Sequence, residues 1–186
     1  QDESKATAAR NLFCATIQAA SRAKLADLAV DVFNEAIRVI NDDICIFETM
    51  IEGHCFMNRV ESAYELLFQF PDVMDAANKE KTHAGYLPSS RELIPGAPRP
   101  TTAALHTILE ACARLKNYHL SERVFYDIPT SFHLIPSADS WNILLKVYVE
   151  REDMATAHNR FIDMLKTKEH TRPNLATYEL MIPGHV

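Results

Sequence analysis

Apolar positions return along this chain at a fixed long interval. Taking Phe13, Phe47, Leu105 and Trp141 as landmarks, a branched aliphatic residue follows each after four positions: Ile17, Ile51, Leu109 and Leu145. A small residue follows after sixteen (Ala29, Ala63, Ser121, Ala157) and a large apolar one after twenty (Phe33, Leu67, Phe125, Phe161). Tyr178 opens a fifth copy, with Ile182 four positions on. Successive landmarks lie 34, 58, 36 and 37 residues apart, so the one wide gap is a normal period plus an insertion of about 23 residues. Within each copy the apolar residues recur at i, i+3, i+4 and i+7, as in Trp141, Leu144, Leu145 and Tyr148, which is helical spacing.

Each copy therefore predicts two helices. The first covers 8–21, 45–57, 101–115 and 138–150; the second covers 24–38, 60–70, 118–128 and 153–167. The small residue sixteen after the landmark lets the second helix approach the first closely, where a larger side chain would push the pair apart. Pro100-Thr101, Pro136-Ser137 and Pro173-Asn174 precede the later copies. Proline ends one segment, and the hydroxyl or amide after it caps the next helix. A hairpin of this kind cannot bury both faces alone, so copies stack. The expected fold is an all-α solenoid of antiparallel helix-turn-helix repeats, about four repeats plus the start of a fifth. It forms a single array over 8–186, interrupted by an insertion at 71–99. The chain reads as a piece of a longer array, because the fifth hairpin is opened and not completed.

Composition sharpens this picture. Gly is scarce, at four, and Gly85 and Gly96 fall in the insertion with four of the nine prolines, Pro71, Pro88, Pro95 and Pro98. Outside it the chain is nearly free of helix breakers. The insertion starts as a plausible helix extension around Val73–Lys81 and becomes a loop whose length marks it as either partner-binding or simply mobile. No apolar run has the length of a membrane-spanning helix. The four cysteines form no C-x-x-C pair, which points away from a disulfide scaffold and towards a reducing compartment. A net charge of −6 argues against bulk nucleic-acid binding and leaves room for a local basic strip.

The stretch Phe47-Glu48-Thr49-Met50-Ile51-Glu52-Gly53-His54-Cys55, continued by Arg59-Val60-Glu61-Ser62-Ala63-Tyr64-Glu65-Leu66, resembles the pentatricopeptide repeat. So does Ser140-Trp141-Asn142-Ile143-Leu144-Leu145-Lys146-Val147-Tyr148. Ile or Leu four after the landmark separates these copies from tetratricopeptide repeats, which place Gly or Ala there. The resemblance covers residues 10–70 and 100–186. It implies a non-catalytic protein that holds single-stranded RNA on the concave face in a mitochondrion or plastid, one base per repeat.

In that family two side chains read each base. One follows the landmark and the other follows the closing proline. The resemblance assigns Asn142 with Asn174 to a pyrimidine, and His106 with Ser137 to a second base. The remaining copies place Cys14 with Asp43, Glu48 with Thr101, and Glu179 at these positions. The family flanks the base two residues before the landmark, here at Cys45, Ala103, Asp139 and Ala176. Its phosphate contact nine after the landmark falls on Arg22 and Arg114, with Phe56 and Glu150 in the other copies.

The implied role is RNA stabilisation, processing or translation in the mitochondrial matrix, in preference to a plastid. The alternative is a structural scaffold in a large organellar assembly such as the mitochondrial ribosome. In that role the protein would contact ribosomal RNA by shape, or other protein subunits of the ribonucleoprotein. The acidic charge and the carboxylates at reading positions favour the alternative.

No cofactor is expected. His54-Cys55 and Cys112 with His119 lack further metal ligands at a fixed spacing and read as packed helix faces or turn flanks. The deaminase signature, G-x-S-x-G, Walker A and G-x-G-x-x-G motifs are absent, so the chain reads as no enzyme. Trp141 reads as core rather than as a base-stacking platform. Glu150, Glu152 and Asp153 read as a solvated turn and helix start. Lys166, Lys168, His170 and Arg172 form a basic strip beside Asn174.

Overall fold

A computed structural model describes residues 2–40, 43–68, 100–167 and 171–182. The insertion at 71–99, including the expected helix extension at Val73–Lys81, lies outside the described residues. Nine helices occur among the described residues, with no strand: α1 (Asp2–Arg22), α2 (Ala26–Val39), α3 (Ile44–Phe56), α4 (Val60–Leu66), α5 (Thr102–Arg114), α6 (Tyr118–Thr130), α7 (Ala138–Glu150), α8 (Met154–Leu165) and α9 (Leu175–Met181). The fold is the all-α helical-repeat solenoid that the periodicity predicts, with α1/α2, α3/α4, α5/α6 and α7/α8 as hairpins and α9 as the opening of the fifth copy.

Two boundaries differ from the expected ones. The first helix begins at Asp2, six residues ahead of the apolar pattern. The sequence of residues 2–7 supplies helix formers and N-terminal acids that favour a helix start, and residues 4–7 are exposed, so they bury nothing that a periodicity could register. Helix α4 ends at Leu66, and Leu67 and Phe68 form a turn.

The chain divides into two compact units, 1–104 and 105–186, with the division inside the first turn of α5. In the first unit α1 packs on α2 and α3, α2 on α3, and α3 on α4. In the second, α7 packs on α6, α8 and α9.

The repeat positions account for the core of both. Ile17, Ile51, Leu109 and Leu145 are fully buried, and so are Ala29, Ala63, Ser121 and Ala157, the four small residues of the second helices. Burying each of these aliphatic side chains contributes about 1.5–3 kcal/mol. The residue twenty after one landmark then meets the landmark of the next copy edge to face. Phe33 meets Phe47 at 5.2 Å, Phe125 meets Trp141 at 4.7 Å, and Phe161 meets Tyr178 at 5.7 Å between ring centroids. Each such pair is worth about 0.5–1.5 kcal/mol beyond the buried area. Trp141 is 9% exposed and is core, as expected. Tyr178 and Ile182 are about half exposed, since no described element covers them.

The hairpin turns are built alike without glycine. Eleven residues after each landmark, Lys24, Asn58, Lys116 and Glu152 take a left-handed backbone, with φ of 57°, 62°, 56° and 60°. The following amide donates to the carbonyl five residues back: Leu25 to Ala20, Arg59 to His54, Asn117 to Cys112 and Asp153 to Tyr148, all at 2.8–3.0 Å. This is the Schellman closure, in which glycine is the usual left-handed residue. A non-glycine side chain costs roughly 1–2 kcal/mol there. Glycine returns part of that through its freer unfolded chain. Lys116→Gly or Glu152→Gly is expected to stabilise the protein by about 0.5–1 kcal/mol, read as a higher urea midpoint at unchanged slope. An unchanged or lower midpoint would contradict it.

The first helices are capped as the sequence predicts. Thr101 accepts from the Ala104 amide at 3.2 Å, Ser137 from Ser140 at 3.1 Å, and Asn174 from Thr177 at 3.1 Å. Asp43 caps α3 through the Cys45 amide at 2.9 Å. Gly53 marks the closest approach of α3 to α1, because a Cβ there would collide with the Ser21 hydroxyl.

Candidate functional site

A residue one step past a landmark is turned about 100° from it around the helix. Cys14, Glu48, His106 and Asn142 are accordingly half-buried, and Glu179 is exposed. In two copies this position comes close to the N-cap of the next first helix. Asn142 on α7 donates from Nδ2 to Oδ1 of Asn174, the cap of α9, at 3.2 Å. Glu48 on α3 accepts a short hydrogen bond from the Thr101 hydroxyl. Two of the expected pairs are thus brought into contact.

For His106 and Ser137 the structure shows separate engagements. His106 Nδ1 lies 3.9 Å from Glu110, and Ser137 caps α7 and shares a hydroxyl contact with Ser140 at 3.1 Å. Cys14 and Asp43 are likewise apart in their partners. Asp43 meets Arg10 at 3.5 Å, while the Cys14 sulfur lies 3.8 Å from that of Cys45. Burial first, and then Cys14 beside it, push the Cys45 thiol pKa up.

The Asn142–Asn174 pair is fastened by a third residue, Thr177, which is fully buried. Its hydroxyl accepts from the Asn174 amide at 3.0 Å and donates to Asn142 Oδ1 at 2.6 Å. Asn174 Oδ1 takes the Thr177 amide and Asn142 Nδ2. A hydroxyl carries one proton, so its 3.0 Å approach to Asn174 Oδ1 is an alternative to the Asn142 bond. With these bonds made, the Asn174 NH2 and one hydrogen of the Asn142 NH2 have no partner among the described residues. The cluster therefore offers amide donors to a ligand, with most of its acceptors already occupied. Sequence reasoning missed Thr177. Its signal was the Asn174-Leu175-Ala176-Thr177 spacing of a capping box, which the structure forms in full.

Arg22 and Arg114 are exposed in the last turns of α1 and α5, where a cation suits the helix dipole. Arg22 also borders a cleft of about 140 Å³ lined by Gln18, Ser21, Glu52, Gly53 and Phe56. Of the basic strip, Lys166 is held by Asp163 at 3.3 Å and Arg172 is exposed; Lys168 and His170 lie outside the described residues. The expected acidic turn divides its work. Glu152 is the left-handed residue, and Asp153 caps α8 through the Thr156 amide at 3.1 Å; the Thr156 hydroxyl first, and then that amide, lower its carboxyl pKa.

His54 is 7% exposed on α3, and its Nδ1 has no hydrogen-bond partner among the described residues. Burial first, then Arg59, lowers its pKa below the ordinary 6.5. The unfolded chain thus binds the proton more readily, and stability falls as pH drops below about 6.5. His54→Leu is expected to flatten that part of the profile of melting temperature between pH about 7 and about 5. A variant profile parallel to the native one would contradict this. Among the described residues no three His, Cys, Asp or Glu side chains converge in a way that would hold a metal ion. No described helix is long and apolar enough to cross a membrane.

Comparison with known proteins shows what these features resemble. Residues 102–151 match the pentatricopeptide repeat domain, and residues 45–71 match the PPR repeat. A mitochondrial pentatricopeptide repeat-containing protein of Arabidopsis thaliana is 25% identical over 84 residues, which are 45% of this chain and 20% of that protein. The chain thus aligns with about one fifth of that relative's length. The crystal structure of the pentatricopeptide repeat protein PPR10 from maize superposes with a TM-score of 0.68 at 14% identity, over 91% of this chain and 21% of that one. That likeness is one of fold.

Proposed function

From a chain that is a pentatricopeptide-repeat protein, we propose a non-catalytic RNA-binding function in organellar gene expression, with single-stranded RNA laid across the first helices. The observation that carries this reading is the Asn142–Asn174–Thr177 cluster. It holds one amide a step past the landmark of α7 against another at the N-cap of α9, and leaves donors of both without a partner among the described residues. Outward NH2 groups suit a base edge that presents a carbonyl, as pyrimidines do. Arg22 and Arg114, in the last turns of the first helices of copies one and three, take phosphates. His106 and Ser137 are the weaker pair, since each already has another engagement. The mitochondrial relative supports an organellar location, and the matrix is the compartment we propose. RNA stabilisation, processing or translation are the processes such binding serves.

A second reading has its own support. The Glu48 carboxylate is occupied by Thr101 and carries the wrong charge for RNA. A protein whose second copy is closed in this way suits a scaffold in an organellar ribonucleoprotein such as the mitochondrial ribosome, with protein subunits or ribosomal RNA as neighbours.

Titration of fluorescent oligonucleotides separates the two. On the RNA-reading account a pyrimidine-rich single strand binds more tightly than its duplex. With two phosphate contacts, log K falls against log salt with a slope of about −1.4. Equal or better binding of the duplex, or no binding of either, would favour the scaffold.

A further inference from the structure

Cys14 lies on α1 and Cys45 on α3, thirty-one residues apart, which is one period less three. That difference sets the two side chains one helical turn out of step on stacked first helices, and their sulfurs meet at 3.8 Å. Both thiols are free; Cys45 is exposed and Cys14 half-buried, whereas Cys55 and Cys112 are buried. A disulfide needs sulfurs about 2.05 Å apart, so closure requires an approach of under about 2 Å, within reach of side-chain rotation and small helix shifts. Solvent reaches the pair from the Cys45 side, as a small oxidant requires.

We propose that Cys14 and Cys45 are a redox pair that closes to an intramolecular disulfide on exchange with a low-molecular-weight disulfide such as oxidised glutathione. The thiolate of one cysteine attacks a glutathione sulfur, forming a mixed disulfide and releasing one glutathione thiolate. The second cysteine, deprotonated, then displaces the other glutathione. Two protein thiols are oxidised, one glutathione disulfide is reduced to two thiols, and no other reactant is needed.

The disulfide ties α1 to α3. Its consequence rests on the RNA reading above: Cys14 stands at the first reading position and Cys45 at the position beside the base, so the bond closes that slot.

The test equilibrates the purified protein in buffers of graded reduced and oxidised glutathione, traps free thiols by alkylation and maps peptides by mass. The expected product has lost two hydrogens, links Cys14 to Cys45, melts at a higher temperature and reverts with dithiothreitol. In the Cys45→Ser protein Cys14 instead retains a glutathione adduct. Cys14 and Cys45 alkylated in full at every ratio, or carrying separate adducts without a linked peptide, would overturn the pair. Photo-cross-linking to RNA reads the consequence. Links to α1 are expected to disappear on oxidation while links to α7 persist. Links to α1 that survive oxidation would overturn the closing of the slot, whereas a reduced protein without RNA links anywhere would instead overturn the reading beneath it.

Discussion

Asn142→Ala combined with Asn174→Ser is expected to weaken single-stranded RNA binding roughly ten- to a hundredfold, and to erase the preference for pyrimidine at that site, while leaving the melting temperature nearly unchanged. The loss corresponds to the roughly 1–3 kcal/mol that a good pair of polar contacts to a base supplies. The choice of substitutions follows from the double duty of Asn174. It presents amide donors outward, and it also caps α9 through the Thr177 amide. Alanine at 174 would remove both and cost about 0.5–2 kcal/mol of stability through the cap alone. Serine keeps the cap and removes the NH2 group. Alanine at 142 is tolerable because the Thr177 hydroxyl can turn to Asn174 Oδ1, 3.0 Å away, or to its serine successor. Fluorescence anisotropy with matched melting curves reads both quantities. Full RNA affinity in a folded double variant would contradict the assignment.

Trp141→Ala is expected to cost about 3–5 kcal/mol, a large part of the total stability of a domain this size. The indole fills the seam between copies, edge to face with Phe125 at 4.7 Å, and its neighbours Leu144, Leu145 and Tyr148 are buried around it. Urea unfolding followed by circular dichroism reads the loss as a lower midpoint. A second arm tests the role directly. In Trp141→Phe, which keeps an aromatic edge to Phe125, stability falls by about 1 kcal/mol and RNA affinity holds. Unchanged stability with lost RNA binding would make Trp141 a base platform and contradict its place in the core.

The fold was legible because one short rule repeats. The positions four and sixteen after each landmark are buried in all four copies, and the position twenty after it in three, and burial is what hydrophobic pattern reports. What the pattern could not report is work done by polar atoms. Asp43, Thr101, Ser137 and Asn174 are helix caps as well as candidate readers, and only coordinates show how much of each side chain the cap consumes. Thr177 looked like an ordinary helix residue, although its hydroxyl joins the two asparagines. The left-handed turns at Lys24, Lys116 and Glu152 lack the glycine that would announce them. The Cys14–Cys45 contact was latent in the period, since residues thirty-one apart in a thirty-four-residue repeat fall near each other, but a spacing without a motif gives no reason to look. The start of α1 was missed because helix propensity and favourable acids, rather than an apolar stripe, extend it.

Ultraviolet cross-linking of the native protein, with sequencing of the attached RNA and mapping of the linked peptides, tests the central claim most directly. The account predicts single-stranded RNA joined to the peptides that carry Asn142 and Asn174. No attached RNA, or links confined to the second helices and to residues 71–99, would contradict it and leave a scaffold that shares the fold without the reading.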